Sequence, residues 1–70
     1  MKMVINEHEA KDIIRVMREW TELTQDEFAK TIDRGREGIA KIEAGTRNCY
    51  LKTFLEIANK HGITVTLEKK

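Results

Sequence analysis

The sequence predicts a mainly α fold, a bundle of four to five short helices followed by a short C-terminal β-strand. Three observations lead there. Apolar residues recur at spacings of three and four along most of the chain, as on the buried face of a helix. Helix start and stop signals cut that pattern into short pieces, although the chain has no proline and only four glycines. After Gly62 the apolar period changes to two, and β-branched residues dominate.

The first helix is expected over about residues 7–20. Asn6 followed by Glu9 is a capping-box pattern, and Ala10, Ile13, Ile14, Met17 and Trp20 then share one face. Thr24-Gln25-Asp26-Glu27 is a second capping box and opens a helix over about 25–32, with Phe28, Ala29 and Ile32 turned inward. Asp26 and Glu27 suit the positive end of its dipole. Asp33-Arg34-Gly35 ends it, with Gly35 read as the residue free to take an unusual backbone angle. A third helix over about 36–44 would bury Ile39 and Ile42 and stop at Gly45, leaving Arg36, Glu37, Ala40, Lys41 and Ala44 outside. Residues 46–50 read as a loop. A fourth helix over about 51–61 carries Leu51, Phe54, Leu55, Ile57 and Ala58 and closes at Gly62. The strand is expected over about 63–68, where Ile63, Val65 and Leu67 alternate with Thr64, Thr66 and Glu68.

Seventy residues form one domain, near the lower limit for a self-sufficient core, so pairing with a second copy is a reasonable expectation. Composition excludes several function classes. Cys49 is the only cysteine, so no internal disulfide can form, and it reads as a small, partly buried filler. With His8 and His61 it has no metal-ligand spacing. No apolar run spans a membrane and the N-terminus is too short for a signal peptide, so a cytoplasmic location is expected. No nucleophile–base pair, phosphate-binding glycine loop or carboxylate pair is arranged in the chain, which is therefore read as not an enzyme, without cofactor or metal.

The net charge of +1 is uninformative, but its distribution is not. Residues 1–29 hold four basic and seven acidic side chains. Residues 30–52 hold six basic (Lys30, Arg34, Arg36, Lys41, Arg47, Lys52) against three acidic (Asp33, Glu37, Glu43). The basic excess sits where an element facing nucleic acid would need it.

From Ile14 to Ile63, about fifty of seventy residues, the chain resembles the helix-turn-helix domain of Cro/CI-type (XRE-like, lambda-repressor-like) regulators. The resemblance rests on Leu23-Thr24-Gln25, Glu27-Phe28-Ala29, Ile39, Lys41-Ile42-Glu43, Gly45, Arg47-Asn48, Leu51, Thr53, Leu55, Ile57-Ala58 and Gly62-Ile63. It implies that the second and third helices form the motif, with the third in the major groove of double-stranded DNA. Gln25 would lie against the phosphates, Arg36, Glu37 and Lys41 would read base edges, and Thr46, Arg47 and Asn48 would contact the backbone. A partly buried pair between Arg18 and Glu43 is implied as well. The chemistry suits these roles: Arg36 and Lys41 can donate to guanine and Glu37 can accept from cytosine. Gln25 and Asn48 can bond phosphate without charge, while Arg47 and Lys52 add salt-dependent attraction. Arg34 and Gly38 complete the candidate interface.

The chain departs from the family pattern at the motif itself. Asp33 stands where a glycine is usual in the turn, and aspartate tolerates a left-handed backbone better than most residues. Gly35 and Gly38 replace hydroxyl residues, Cys49 a proline, and Tyr50 a capping serine. The C-terminal strand resembles one in antitoxins of kinase-type toxins, where it pairs across a dimer; Ile63, Val65 and Leu67 would then be dimerisation residues. Pairing with Lys2–Ile5, or a frayed tail, are the alternatives.

The expected function is therefore a sequence-specific transcription regulator, a nucleoid-associated repressor that binds a palindromic operator as a homodimer. An antitoxin that also restrains a toxin protein is a version of that reading. The alternative is a protein-interaction module of the same fold without specific DNA binding. Gln25, Arg36, Lys41, Arg47 and Asn48 weigh against it, because a structural core needs none of them.

Overall fold

The computed structural model describes residues 2–69. A 3-10 turn, Ile5–Glu7, precedes four α-helices: α1 (Ala10–Thr21), α2 (Gln25–Thr31), α3 (Arg36–Ala44) and α4 (Leu51–Lys60). Helices α1, α2 and α3 pack on one another, and α4 closes the bundle. Every helix contributes to one core: Ile14 and Met17 from α1, Phe28 and Ala29 with the adjoining Ile32 from α2, Ile39 and Ile42 from α3, Ile57 and Ala58 from α4. Phe28 and Ile57 have no solvent exposure at all. Deleting side chains of this kind costs roughly 2–5 kcal/mol.

The second capping box forms as the sequence predicts. The Glu27 N–H donates to Thr24 Oγ1 at 3.2 Å, and the Thr24 N–H donates to Glu27 Oε1 at 3.0 Å. The Thr24 N–H, with the hydroxyl adding to it, holds the Glu27 carboxyl below its ordinary value.

The first capping box does not form. Asn6 lies inside the 3-10 turn, His8 and Glu9 are extended, and α1 begins three residues later than expected. Asn6, Glu7, His8 and Glu9 are all exposed, so a helical turn there would have nothing to pack against.

Three helix ends share one backbone device. A left-handed residue (Asp33, φ 54°; Gly45, φ 82°; Gly62, φ 68°) turns the chain so that the next N–H reaches five residues back. These bonds are Arg34 N–H to Ala29 O at 2.9 Å, Thr46 N–H to Lys41 O at 3.0 Å and Ile63 N–H to Ala58 O at 2.8 Å. Each satisfies a carbonyl that the end of a helix would otherwise leave unpaired. The turn between α2 and α3 is thus made by Asp33. Gly35, to which the sequence reading gave the unusual angle, has ordinary extended geometry at φ −80°.

The C-terminal strand is not present. Residues 63–69 form no strand, and neither do residues 2–4, so no pairing joins the two ends among the described residues. A strand needs a neighbour to take its N–H and C=O groups, and alternation of side chains does not supply one. Ile63 instead folds back onto the core of its own chain, while Val65 and Leu67 are exposed.

His61 is tied into the bundle from across the chain: its ring stacks on Phe28 with centroids 5.1 Å apart and planes within 12°. Its Nε2 lies 2.9 Å from Thr31 Oγ1. That hydroxyl donates its own proton to Phe28 O at 2.6 Å, so Nε2–H is the donor to Thr31. Burial, helped by the charge of Lys60, pushes the His61 pKa down.

Candidate nucleic-acid interface

The rotation of α3 decides which of its side chains can meet a ligand. Ile39 and Ile42 are inserted in the core, being 1% and 7% exposed. Glu43 fixes the third point. Arg18 Nε and Nη2 donate to the two Glu43 carboxylate oxygens at 2.8 and 2.9 Å, and Arg18 Nη1 donates to Leu23 O at 3.2 Å. One guanidinium therefore joins α1, α3 and the loop before α2. The bond to Glu43 and its charge hold the Arg18 pKa above its ordinary value. With these three residues pointing in, Arg36, Glu37 and Lys41 point out and are exposed.

The loop after α3 is clamped to that helix. Lys41 O accepts from the Thr46 N–H, from the Arg47 N–H at 3.3 Å and from Thr46 Oγ1 at 3.2 Å. Thr46 is thus a structural clamp as well as an exposed hydroxyl. Arg47 and Asn48 follow it and are exposed, as is Lys52 in the first turn of α4. Gln25, the first residue of α2, is half-buried. Among the described residues, the side chains of Gln25, Arg36, Asn48 and Lys52 make no hydrogen bond or ion pair within the chain.

Lys41, Glu37 and Arg34 are already engaged within the chain. Lys41 Nζ lies 3.0 Å from Glu37 Oε1, one helical turn away. That bond and the Lys41 charge, with a smaller contribution from Arg47, hold the Glu37 carboxyl below its ordinary range. Arg34 is exposed but anchored, its Nη2 donating at 3.2 Å to the buried Thr53 hydroxyl on α4.

Arg34, Gly38, Arg47 and Asn48 line one cleft of about 420 Å³ between α3 and the start of α4, floored by Ile39 and Ile42. Tyr50 and Thr53 complete its wall. The sequence reading assigned neither to the site. Thr53 carries a readable signal, a hydroxyl on the otherwise apolar face of α4. Tyr50 was noted only as a departure in capping, and it makes no side-chain cap in the structure. Cys49, beside them, is half-buried, and burial raises its thiol pKa against the opposing charge of Arg34.

The structure thus gathers the predicted residues around α3 and the loop behind it, with Gln25 at the start of α2. Of the three dimerisation candidates, Val65 and Leu67 are on the surface and Ile63 is packed inward. Among the described residues no cluster of His, Cys, Asp and Glu is arranged to hold a metal, and no helix is long and apolar enough to cross a membrane. No protein-family model, curated protein or solved structure matches the chain.

Proposed function

We propose that this protein is a sequence-specific DNA-binding transcription regulator, a repressor that acts as a homodimer at a palindromic operator. The observation that carries the reading is the separation of labour on α3. Its inner side is fixed by Ile39, Ile42 and the Arg18–Glu43 pair, and its outer side presents Arg36, Glu37 and Lys41 flanked by Arg34, Arg47 and Lys52. An α-helix with its side chains is about 10–12 Å across, which fits the roughly 12 Å width of the major groove. Arg36 and Lys41 on α3, with Gln25 and Asn48 beside it, are the types that bond guanine edges and phosphates. Repression follows from occupation of promoter DNA in the cytoplasm, at the nucleoid.

The dimer is supported by apolar surface without a partner in the single chain. Leu51 and Leu55 lie one turn apart on α4 and are 70% and 40% exposed, and Leu67 is 91% exposed. In a dimer, the segment after Gly62 would find in its copy the strand partner that one chain lacks. The same surface supports the second reading, a protein-interaction module or antitoxin whose Leu51, Leu55 and Leu67 meet a toxin or other partner protein.

A selection of genomic fragments at physiological salt tests the proposal, followed by titration of the enriched site against random duplex. A palindromic site held at least about a thousandfold tighter than random DNA is expected. Absence of enrichment, with binding no tighter than to random duplex, would overturn the DNA reading in favour of the protein partner. Sedimentation of the chain cut after Gly62 tests the dimer; an unchanged sedimentation coefficient would exclude the tail from it.

A further inference from the structure

The Arg47 side chain lies against α3 at Gly38. A Cβ built on Gly38 would stand 3.4 Å from Arg47 Nη1, so the guanidinium lies over the gap where a side chain at position 38 would be. Gly38 is in the first turn of α3, beside Glu37 and one turn before Lys41, on the flank of the outward face. The backbone of Arg47 is held there by the bond from its N–H to Lys41 O at 3.3 Å. Among the described residues its side chain makes no hydrogen bond or ion pair. Lys41 and Arg34, by contrast, are engaged by Glu37 and Thr53. A guanidinium has five N–H donors in a planar fork, the geometry that bonds guanine O6 and N7 together.

We propose that Arg47 is a base-reading residue that takes over the position left empty by Gly38, pairing with a guanine in the major groove beside the base pair met by Lys41. A phosphate contact, the role expected of the loop after the recognition helix, requires neither a glycine at 38 nor a side chain laid along α3. The missing side chain at 38 opens to Arg47 a position along α3 that a longer side chain there would occupy. Glycine in a helix interior weakens the helix, and the room it gives Arg47 accounts for its presence. This inference rests on the DNA-binding reading above and adds to it the source of specificity at one position.

The experiment selects DNA sites from a random library with the full-length wild type, Arg47→Lys and Gly38→Leu, at one salt concentration. Arg47→Lys keeps the charge and removes the fork. It should bind random duplex like the wild type, lose about tenfold or more on the wild-type site, and degenerate one guanine-containing base pair of the selected motif. Gly38→Leu, which displaces Arg47, should degenerate the same base pair. If Arg47→Lys keeps both the motif and the affinity, Arg47 supplies only charge to a phosphate and the proposal is overturned. Degeneracy at a different base pair in Gly38→Leu overturns the link between the two residues. Should the wild type select no motif at all, the DNA-binding reading itself fails and takes this inference with it. Thermal unfolding confirms that the variants are folded; were Gly38→Leu to unfold, Arg47→Lys, altered at an exposed side chain, decides alone.

Discussion

Replacing Glu43 with alanine should be among the most damaging single changes outside the apolar core. Glu43 is 6% exposed at its side chain and takes both of its bonds from Arg18, itself only 20% exposed. The variant leaves the guanidinium with a single bond, to Leu23 O. Hydrogen bonds to charged groups contribute about 1.5–3 kcal/mol each, and breaking a buried pair by removing one partner costs about 3–5 kcal/mol. Water reaching the partly exposed Arg18 repays some of this, so the lower end, about 3 kcal/mol, applies. In a domain of this size 1 kcal/mol shifts the melting temperature by about 4–8 °C, so Tm should fall by about 12–24 °C. Stabilities near 0.05–0.15 kcal/mol per residue make that roughly three-tenths or more of the total. Thermal unfolding followed by circular dichroism measures it, and the double variant Arg18→Met/Glu43→Leu completes a cycle. With no stranded charge, the double variant should lie closer to the wild type than Glu43→Ala does. A fall of less than about 4 °C for Glu43→Ala, or a double variant as poor as the sum of the two singles, would refute the view that one coupled pair sets the seat of α3.

Three further outcomes follow from the same geometry. Thr24→Ala removes the hydroxyl that accepts from the Glu27 N–H, and should cost about 1 kcal/mol, read as a Tm lower by about 4–8 °C. Gly38→Ala places a Cβ at 3.4 Å from Arg47 Nη1, an ordinary contact, and should stabilise the domain by about 0.5–1 kcal/mol in urea unfolding; destabilisation would mean that α3 depends on the bare backbone there. The pH dependence belongs to His61, whose folded pKa lies below its ordinary 6.5 because the ring is buried against Phe28. The unfolded chain takes up the proton first, so this contribution is complete above pH 6.5 and is lost as pH falls from there through the folded value. Urea midpoints at pH 7.5 and 5.5 should therefore differ more for the wild type than for His61→Gln, and equal differences would remove His61 as the cause.

The parts of the fold that sequence reasoning reached are those decided within one turn of chain. Thr24 and Glu27 are three residues apart, and nothing distant interferes with their exchange of bonds. Ile39 and Ile42 repeat at helical spacing, which was enough to say which side of α3 is buried and hence which side carries Arg36, Glu37 and Lys41. Where the answer lay in tertiary surroundings, the local signal misled. Asn6 and Glu9 form the same motif as Thr24 and Glu27, but no core residue follows within the turn they would cap. Residues 63–67 alternate as a strand does, yet a strand is a relation between two segments and the single chain offers only one. No local pattern signals the stacking of His61, because its partner, Phe28, is thirty-three residues away in sequence. The position of Arg47 over Gly38 was illegible for the same reason, although the loop between them is short. The Arg18–Glu43 pair, twenty-five residues apart, was expected only through the resemblance and not from spacing.

The distribution of backbone and side-chain duties bears on how such a surface could change its target under the proposed function. The ends of α2, α3 and α4 are set by main-chain bonds across Asp33, Gly45 and Gly62, and the loop behind α3 hangs largely on one carbonyl, that of Lys41. The orientation of α3 is set by Ile39, Ile42 and Glu43. None of these interactions uses the side chain of Arg36, Glu37, Lys41, Arg47 or Asn48. Surface side chains of this kind typically change stability by no more than about 0.5 kcal/mol when replaced. The five are therefore free of structural duty, and what holds them in one place is available to any sequence at those positions. Gly38 is the exception. It belongs to the backbone by its effect on helix stability and to the interface by the room it gives Arg47, so a change there alters both at once. The same mixed character applies to Arg34, whose side chain both faces the cleft and ties the turn after α2 to Thr53 on α4. If the surface binds DNA as proposed, its specificity could drift at these five positions without cost to the fold, and is tethered to the fold at Gly38, Arg34 and the clamping Thr46.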